Sequence, residues 1–276
     1  MKIQILLLSF ILSTLSCASI SEIYDTKNQK FITIDEIPQY LPAQGFFILG
    51  EFHAQKPIQN AQAQLIRSLQ KSSSNNFDLA WEFLNHPEQN YINTKLLQLR
   101  EREISTQQFL TQTAGKSNLA YAPIIEILHS PHSHLRALNI SRSIKQKVIQ
   151  DGLGSIDPQL VPDFHYNGGA SYYKRFQAAM GNHVPANKLE AYFTAQCLTD
   201  SVMAQQLNKS SSDRTYAIIG SFHTDFFQGT VERLKLLTND PIVTFKFVLH
   251  EDPQKENYIN GHQEYGAYAD YIIFTK

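Results

Sequence analysis

Two four-residue turns carry the residue types most able to do chemistry. One reads Gly50-Glu51-Phe52-His53 and the other Gly220-Ser221-Phe222-His223, and each directly follows a short apolar run. With 12 Gly and 10 His in 276 residues, chance supplies about 0.4 copies of Gly-x-x-His. Two copies that share a Phe and a setting therefore point to a common purpose. Glycine lets the chain turn sharply as it leaves a strand, and the His three residues on then stands over the strand's carboxyl end. Two imidazoles delivered there could ligate a metal, move protons or hold a carboxylate.

Other polar residues belong to the same rim. The run Asp78–Trp81 leads into Glu82, and Leu135–Leu138 leads into Asn139. Leu189, Phe193, Gln196, Asp200, Met203 and Leu207 recur at spacings of three and four, so they form one helical stripe. Gln196 and Asp200 sit in the middle of that otherwise apolar stripe and need partners, since unpaired burial costs about 1–3 kcal/mol. His53 or His223 would serve Asp200. One reading of the rim is a metal-dependent hydrolase. His53, His223 and a carboxylate drawn from Glu82 and Asp200 would hold a divalent ion, with Glu51 as general base.

Six apolar runs must position these residues, at 45–50, 77–81, 135–140, 215–220, 242–249 and 271–275. Helical spacing separates most of them, as in Ala61-Leu65-Leu69 and Ile144-Val148. The alternation predicts an α/β fold with a mainly parallel central sheet and flanking helices. Ligands of such sheets bind at the carboxyl ends of the strands. Residues 85–131 and 160–208 are too long for single crossovers and are expected to add an inserted helical layer that forms the ligand site. One domain would cover 44–276, with 17–43 as a tether.

The N-terminus carries a targeting pattern. Lys2, the apolar run Ile3–Leu15 and Cys17 have the layout of a secretory signal, and the run is too short to span a bilayer. Ser13-Thr14-Leu15-Ser16-Cys17 resembles the lipobox of bacterial lipoproteins. Residues 1–16 would be cleaved and Cys17 acylated, and Ala18 directs such a protein to the bacterial outer membrane. Cys197 is then a lone thiol, expected to act as a small buried hydrophobe.

Composition narrows the function further. The 24 Lys+Arg against 25 Asp+Glu leave no basic excess for nucleic acid. Two cysteines cannot supply an iron–sulfur or Cys-rich zinc centre. No His-Glu-x-x-His, phosphate loop or Gly-x-Ser-x-Gly elbow occurs. The His129, His132 and His134 cluster precedes its strand and so falls at the edge opposite the rim.

The two Gly-x-Phe-His turns, Glu82, Leu138–Arg142, His183, Gln196 with Asp200–Ala204, and Gly229–Leu234 together resemble ChaN, a family of haem-binding bacterial lipoproteins linked to iron acquisition. The likeness spans about residues 44–250, with Val184 where the pattern has Gly after its His. The wider superfamily, with Tiki-type proteases and erythromycin esterases, is similar in its paired Gly-x-x-His motifs. The resemblance implies haem held by a helical part of an α/β core and iron ligated by a Tyr with His support. It also implies a homodimer with stacked haems, membrane attachment through the N-terminal lipid, and an outer-membrane haem receptor as partner. The segment Phe164–Phe176, with five rings, an imidazole and two cations around Gly168-Gly169, is where haem would sit. Tyr166 is the first choice of axial ligand and Tyr173 the second. His183 or His165 would be the second group, and Arg175 a cation for the propionates.

Overall fold

A computed structural model describes residues 19–71 and 76–276. The signal-like segment 1–16, Cys17 and Ser72-Ser73-Ser74 lie outside the described residues. One sheet contains β1 (Ile20–Asp25), β2 (Lys30–Ile32), β3 (Gly45–Glu51), β4 (Phe77–Asn85), β5 (Ser133–Asn139), β6 (Arg214–Gly220), β7 (Ile242–Leu249) and β8 (Tyr271–Thr275), in the order β2-β1-β8-β7-β3-β6-β4-β5. The run from β8 to β5 is parallel throughout, and all six apolar runs of the sequence lie in it.

The helices are α1 (Lys56–Lys71), α2 (Gln89–Arg100), α3 (Thr106–Thr113), α4 (Ala122–Ile125), α5 (Arg142–Asp151), α6 (Ala170–Met180), α7 (Leu189–Asn208), α8 (Thr230–Leu237) and α9 (Lys255–Asn260). Alternate strand residues face two cores. Phe47, Leu49, Trp81 and Ile218 pack with α1 and the α2–α4 region, while Ile48, Ala80, Ala217 and Ile219 pack with Met203, Leu207, Val231 and Leu234 of α7 and α8. Covering both faces is why the central strands read as continuous apolar runs rather than as an alternation.

The segment expected to be a tether is instead part of the sheet. β1 pairs antiparallel with β8, and β2 pairs antiparallel with β1. Ile20, Ile23 and Ile32 are buried, whereas Ser21, Glu22 and Lys30 reach solvent. A half-exposed edge has a polar average, and that average concealed the strands.

α7 runs back against the strands. Its C-terminal neighbour Ser210 bonds Asp78 at the start of β4, and Asp200 bonds His223 beyond the end of β6. At ~1.5 Å per residue, the eleven residue steps from Asp200 back to Leu189 carry the start of α7 about 16 Å beyond that level. α6 crosses above that edge, tied to the loop after β6 through Arg175–Phe222 carbonyl (2.7 Å) and to the far side by Lys174–Glu264 (2.8 Å). The two long segments do form helical structure, as expected.

Candidate functional site

The sheet register puts Glu51 opposite Gly220, so both turns leave the sheet at one level. Neither glycine has a positive φ, and Gly220 is ordinary extended backbone (φ −60°, ψ 140°). The glycines are there for room, not for turning. A Cβ on Gly220 would stand 2.6 Å from His53 Nε2, and one on Gly50 would stand 2.4 Å from Thr224 Oγ1. Each turn thus leaves space for a side chain of the other. Gly220→Ala should lower stability by about 1–3 kcal/mol through this overlap. In a His53→Ala background most of that loss should vanish, which thermal unfolding of the four variants of the cycle would read.

Two polar clusters occupy the rim. In the first, buried Glu51 accepts bonds from Gln59 Nε2 (2.8 Å) and the Tyr121 hydroxyl and lies 3.1 Å from His53 Nδ1. Burial of the His53 ring opposes its charge, but Glu51 and Glu82 outweigh that and raise its pKa. Burial, reinforced by Glu51, pushes the Tyr121 phenol far above its ordinary value.

The second cluster centres on Asp200, which is fully buried. It accepts from Tyr172 (2.7 Å), His223 Nδ1 (2.6 Å) and Thr230 (3.0 Å), with Arg233 Nη1 at 3.8 Å. Gln196 donates to the Tyr172 hydroxyl at 3.0 Å, so both polar members of the stripe find partners. Burial would raise the Asp200 pKa, yet His223 and Arg233 hold it below the usual carboxylate value. The His223 ring is likewise penalised by burial, and Asp200 and Glu82 still raise its pKa. Glu82 closes the gap between the clusters: it lies within β4, 3.5 Å from His223 Nε2, and accepts the Gly220 N–H at 2.6 Å.

Glu51, His53, Glu82, Asp200 and His223 therefore converge as the spacing of the motifs implied. They converge as carboxylate–imidazole pairs. Among the described residues no group of three or more His, Cys, Asp or Glu could hold a metal ion, so the divalent-metal alternative lacks a ligand set. That holds for His129, His132 and His134 as well, which lie around the start of β5 at the opposite edge.

The sequence reading missed Lys246, a fully buried cation on β7 that bonds Asp225 (2.8 and 2.9 Å) and Ser221 (3.1 Å). The signal was present: a lysine inside a strand buried on both faces must have a partner. Lys145 was also missed. It bonds Asn139 (3.2 Å), burial lowers its pKa, and it lines a pocket of about 170 Å³ with Phe176, Tyr192 and His223.

The ring-rich segment divides. A larger cleft of about 500 Å³ lies between the Asn167–Ala170 loop, Tyr173 of α6, and Glu190, Phe193 and Thr194 of α7. Tyr173 lines it and meets Phe193 edge-on at 4.9 Å. Tyr166 stands behind, stacked on Phe164 with Arg233 over its ring, and its hydroxyl lies 3.8 Å from where a Gly169 Cβ would be. Burial and Glu232 raise the Tyr166 pKa. Both ring nitrogens of His165 are shielded from solvent without a hydrogen bond of normal geometry, although Asn167 approaches. His183 is exposed on the turn Gly181–His183 and does not line the cleft. Arg175 is buried, its guanidinium on Gln228, the Phe222 carbonyl and the Phe222 ring. It fastens α6 to the rim. Cys197 is a buried free thiol that donates to the Asn167 carbonyl, as its lone status implied.

A mostly parallel sheet with paired Gly-x-Phe-His turns under a helical cover has a clear structural counterpart. It is similar, with a TM-score of 0.71 and 20% identity over 92% of this chain and 96% of the other, to a structure described as cofacial heme binding to ChaN of Campylobacter jejuni. The type III effector HopBA1 (TM-score 0.43, 13% identity, 83% and 86% covered) and a Bacillus cereus protein (0.44, 10%, 83% and 77%) are more distant. No functionally curated protein matches. The family model "Haem-binding uptake, Tiki superfamily, ChaN" matches residues 38–234, and the chain belongs to that family.

Proposed function

We propose that this protein binds haem in the cleft between α6 and α7 and carries it during iron uptake, anchored to the outer membrane through an acylated Cys17. The family supports the haem reading. The observation that carries its placement is the cleft itself. It has room for a flat macrocycle, a phenol and an aromatic wall in Tyr173 and Phe193, and no side chain projecting from Gly168 or Gly169. His165 stands two residues before the cleft loop, its ring nitrogens shielded and outside the cleft lining.

Tyr173 is the better axial ligand of the two candidates. It lines the cleft, whereas Tyr166 does not line it, stacks on Phe164 and carries Arg233 over its ring. Bound haem supplies the iron; the chain supplies the phenolate and the wall and limits access of water. Asn167, Ala170 and Glu190 leave one side of the cleft open to solvent, so a second copy would shield the exposed haem face in a homodimer. An outer-membrane haem receptor is the partner such a carrier would serve.

Titrating the purified protein with haemin tests the reading. A saturable visible spectrum of high-spin, phenolate-ligated ferric haem is expected, with a shift from monomer to dimer on loading. Absence of any band shift in the wild type would end the haem proposal.

A further inference from the structure

The point at which the chain enters the fold has a definite place. Ser19 and Ile20 are pinned: both backbone N–H groups donate to Gln64 Oε1 of α1 at 3.0 Å, and the Ser19 carbonyl accepts from Lys276 at 3.0 Å. Because β1 is antiparallel to β8, Ile20 pairs with Thr275 at the carboxyl end of the parallel strands. Register then relates this point to the site. Thr275 is level with Leu249 of β7, while Lys246 of β7 is level with Gly50. Ile20 thus stands three residues beyond Gly50, about 10 Å at ~3.3 Å per residue. The first turns of α7, which wall the haem cleft, project beyond the same edge, on the sheet face opposite the Ile20 cluster.

Beside this entry point lies a groove of about 350 Å³ with an apolar floor of Ile20, Ile23, Ile32 and Ile34, Phe31 at its edge, and a polar margin of Ser21, Glu22, Thr33 and Glu36. Phe31 is 52% exposed, among the most exposed large apolar side chains of the described residues. Ile20, Ile23 and Ile32 are core residues that floor the groove, and Phe31 is its one exposed ring, an apolar group that contact with lipid would cover. The sequence supplies the argument for lipid. Only three residue steps separate Cys17 from Ile20, and three steps reach at most ~11 Å. A lipid on Cys17 would hold this corner of the domain within that distance of the bilayer.

We infer that the groove and the neighbouring carboxyl edge form a lipid-facing surface, so that the anchored protein turns its haem cleft and histidine rim towards the membrane. The inference rests on acylation of Cys17. It makes the bilayer, rather than a soluble protein, the first partner of this edge. Haem would then enter and leave where a membrane-embedded donor or acceptor can reach it.

The test uses the full lipidated chain in phosphatidylethanolamine–phosphatidylglycerol vesicles. Single cysteines carrying a fluorophore are placed near the entry point (Phe31→Cys, Glu251→Cys) and at the opposite edge (His132→Cys, Asp240→Cys). Cys197 does not compete, being buried with its thiol pushed up to about 12 by that burial. Lipids bearing a quencher in the upper acyl region should quench the first pair several-fold more than the second. A flexible twenty-residue insertion between Ala18 and Ser19 should erase the difference. Equal quenching at both edges, or stronger quenching at 132 and 240, with Cys17 acylated by mass spectrometry, overturns the orientation and leaves the haem carrier intact. An unacylated Cys17 overturns both the anchor and the orientation, and haemin titration still decides haem binding separately.

Discussion

Asp200→Ala should cost about 3–5 kcal/mol of folding stability, the range for stripping one partner from a buried charged network. The loss is large because Asp200 alone joins Tyr172, His223 and Thr230, and faces Arg233. Alanine leaves all four polar groups facing a dry cavity. Asp200→Asn keeps the shape and should cost less, with a pH signature that alanine's packing loss would mask. His223 has a raised pKa, so its contribution is complete below the ordinary value of 6.5 and drains away as pH rises through the folded value. Asp200 has a lowered pKa, so its contribution is complete above 3.8 and is lost as pH falls through its folded value. The wild-type advantage over Asp200→Asn should therefore peak between those pH values and shrink as pH rises through the folded value of His223. Denaturant unfolding across pH reads this, and a flat difference would mean that the His223–Asp200 pair contributes no coupled charge.

Tyr173→Phe should remove the phenolate-to-iron band and weaken haem binding at least about ten-fold, or roughly 1.4 kcal/mol. Phe keeps the ring against Phe193, so the fold and the cleft wall persist and the change isolates the hydroxyl. Ligation by phenolate releases a proton, so wild-type affinity should rise with pH and the variant's should respond less. Tyr166→Phe should leave the band in place. The opposite outcome, loss with Tyr166→Phe and none with Tyr173→Phe, would restore the order drawn from sequence alone and move the iron behind Gly169.

Much of this architecture was legible because the central strands are buried on both sides. Burial forces apolar runs such as Gly45–Leu49 and Ile242–Leu249, and the residues that break the rule at their ends are those of the rim. The stripe Leu189–Leu207 disclosed Asp200 for the same reason: a carboxylate on a packed helix face has to be answered. Local pattern failed where its physical cause is not local. β2 is an edge strand and β1 lies next to it, and their exposed residues dilute the apolar signal. Crowding of rings in sequence does not say which phenols line a cleft: that depends on which side of α6 each faces, one residue separating Tyr172 on Asp200 from Tyr173 at the cleft. Arg175 looked like a ligand for propionates because charge is visible in sequence; its engagement with a carbonyl far along the chain is not.

The room that each glycine leaves for the other turn bears on how the protein acquires its site. Glu82 meets the Gly220 N–H across 138 positions of chain, and Tyr172 and His223 reach Asp200 only when α6, α7 and the turn after β6 are all in place. Closing contacts at such separations is slow, since chain entropy is lost before the contacts repay it. The sheet itself closes over longer spans, β3 pairing with β6 across 169 positions, so the rim should order together with the completed sheet. Binding competence would then return together with the parallel sheet, so a nascent chain could accept a ligand only once β6 and the turn after it have been made and paired.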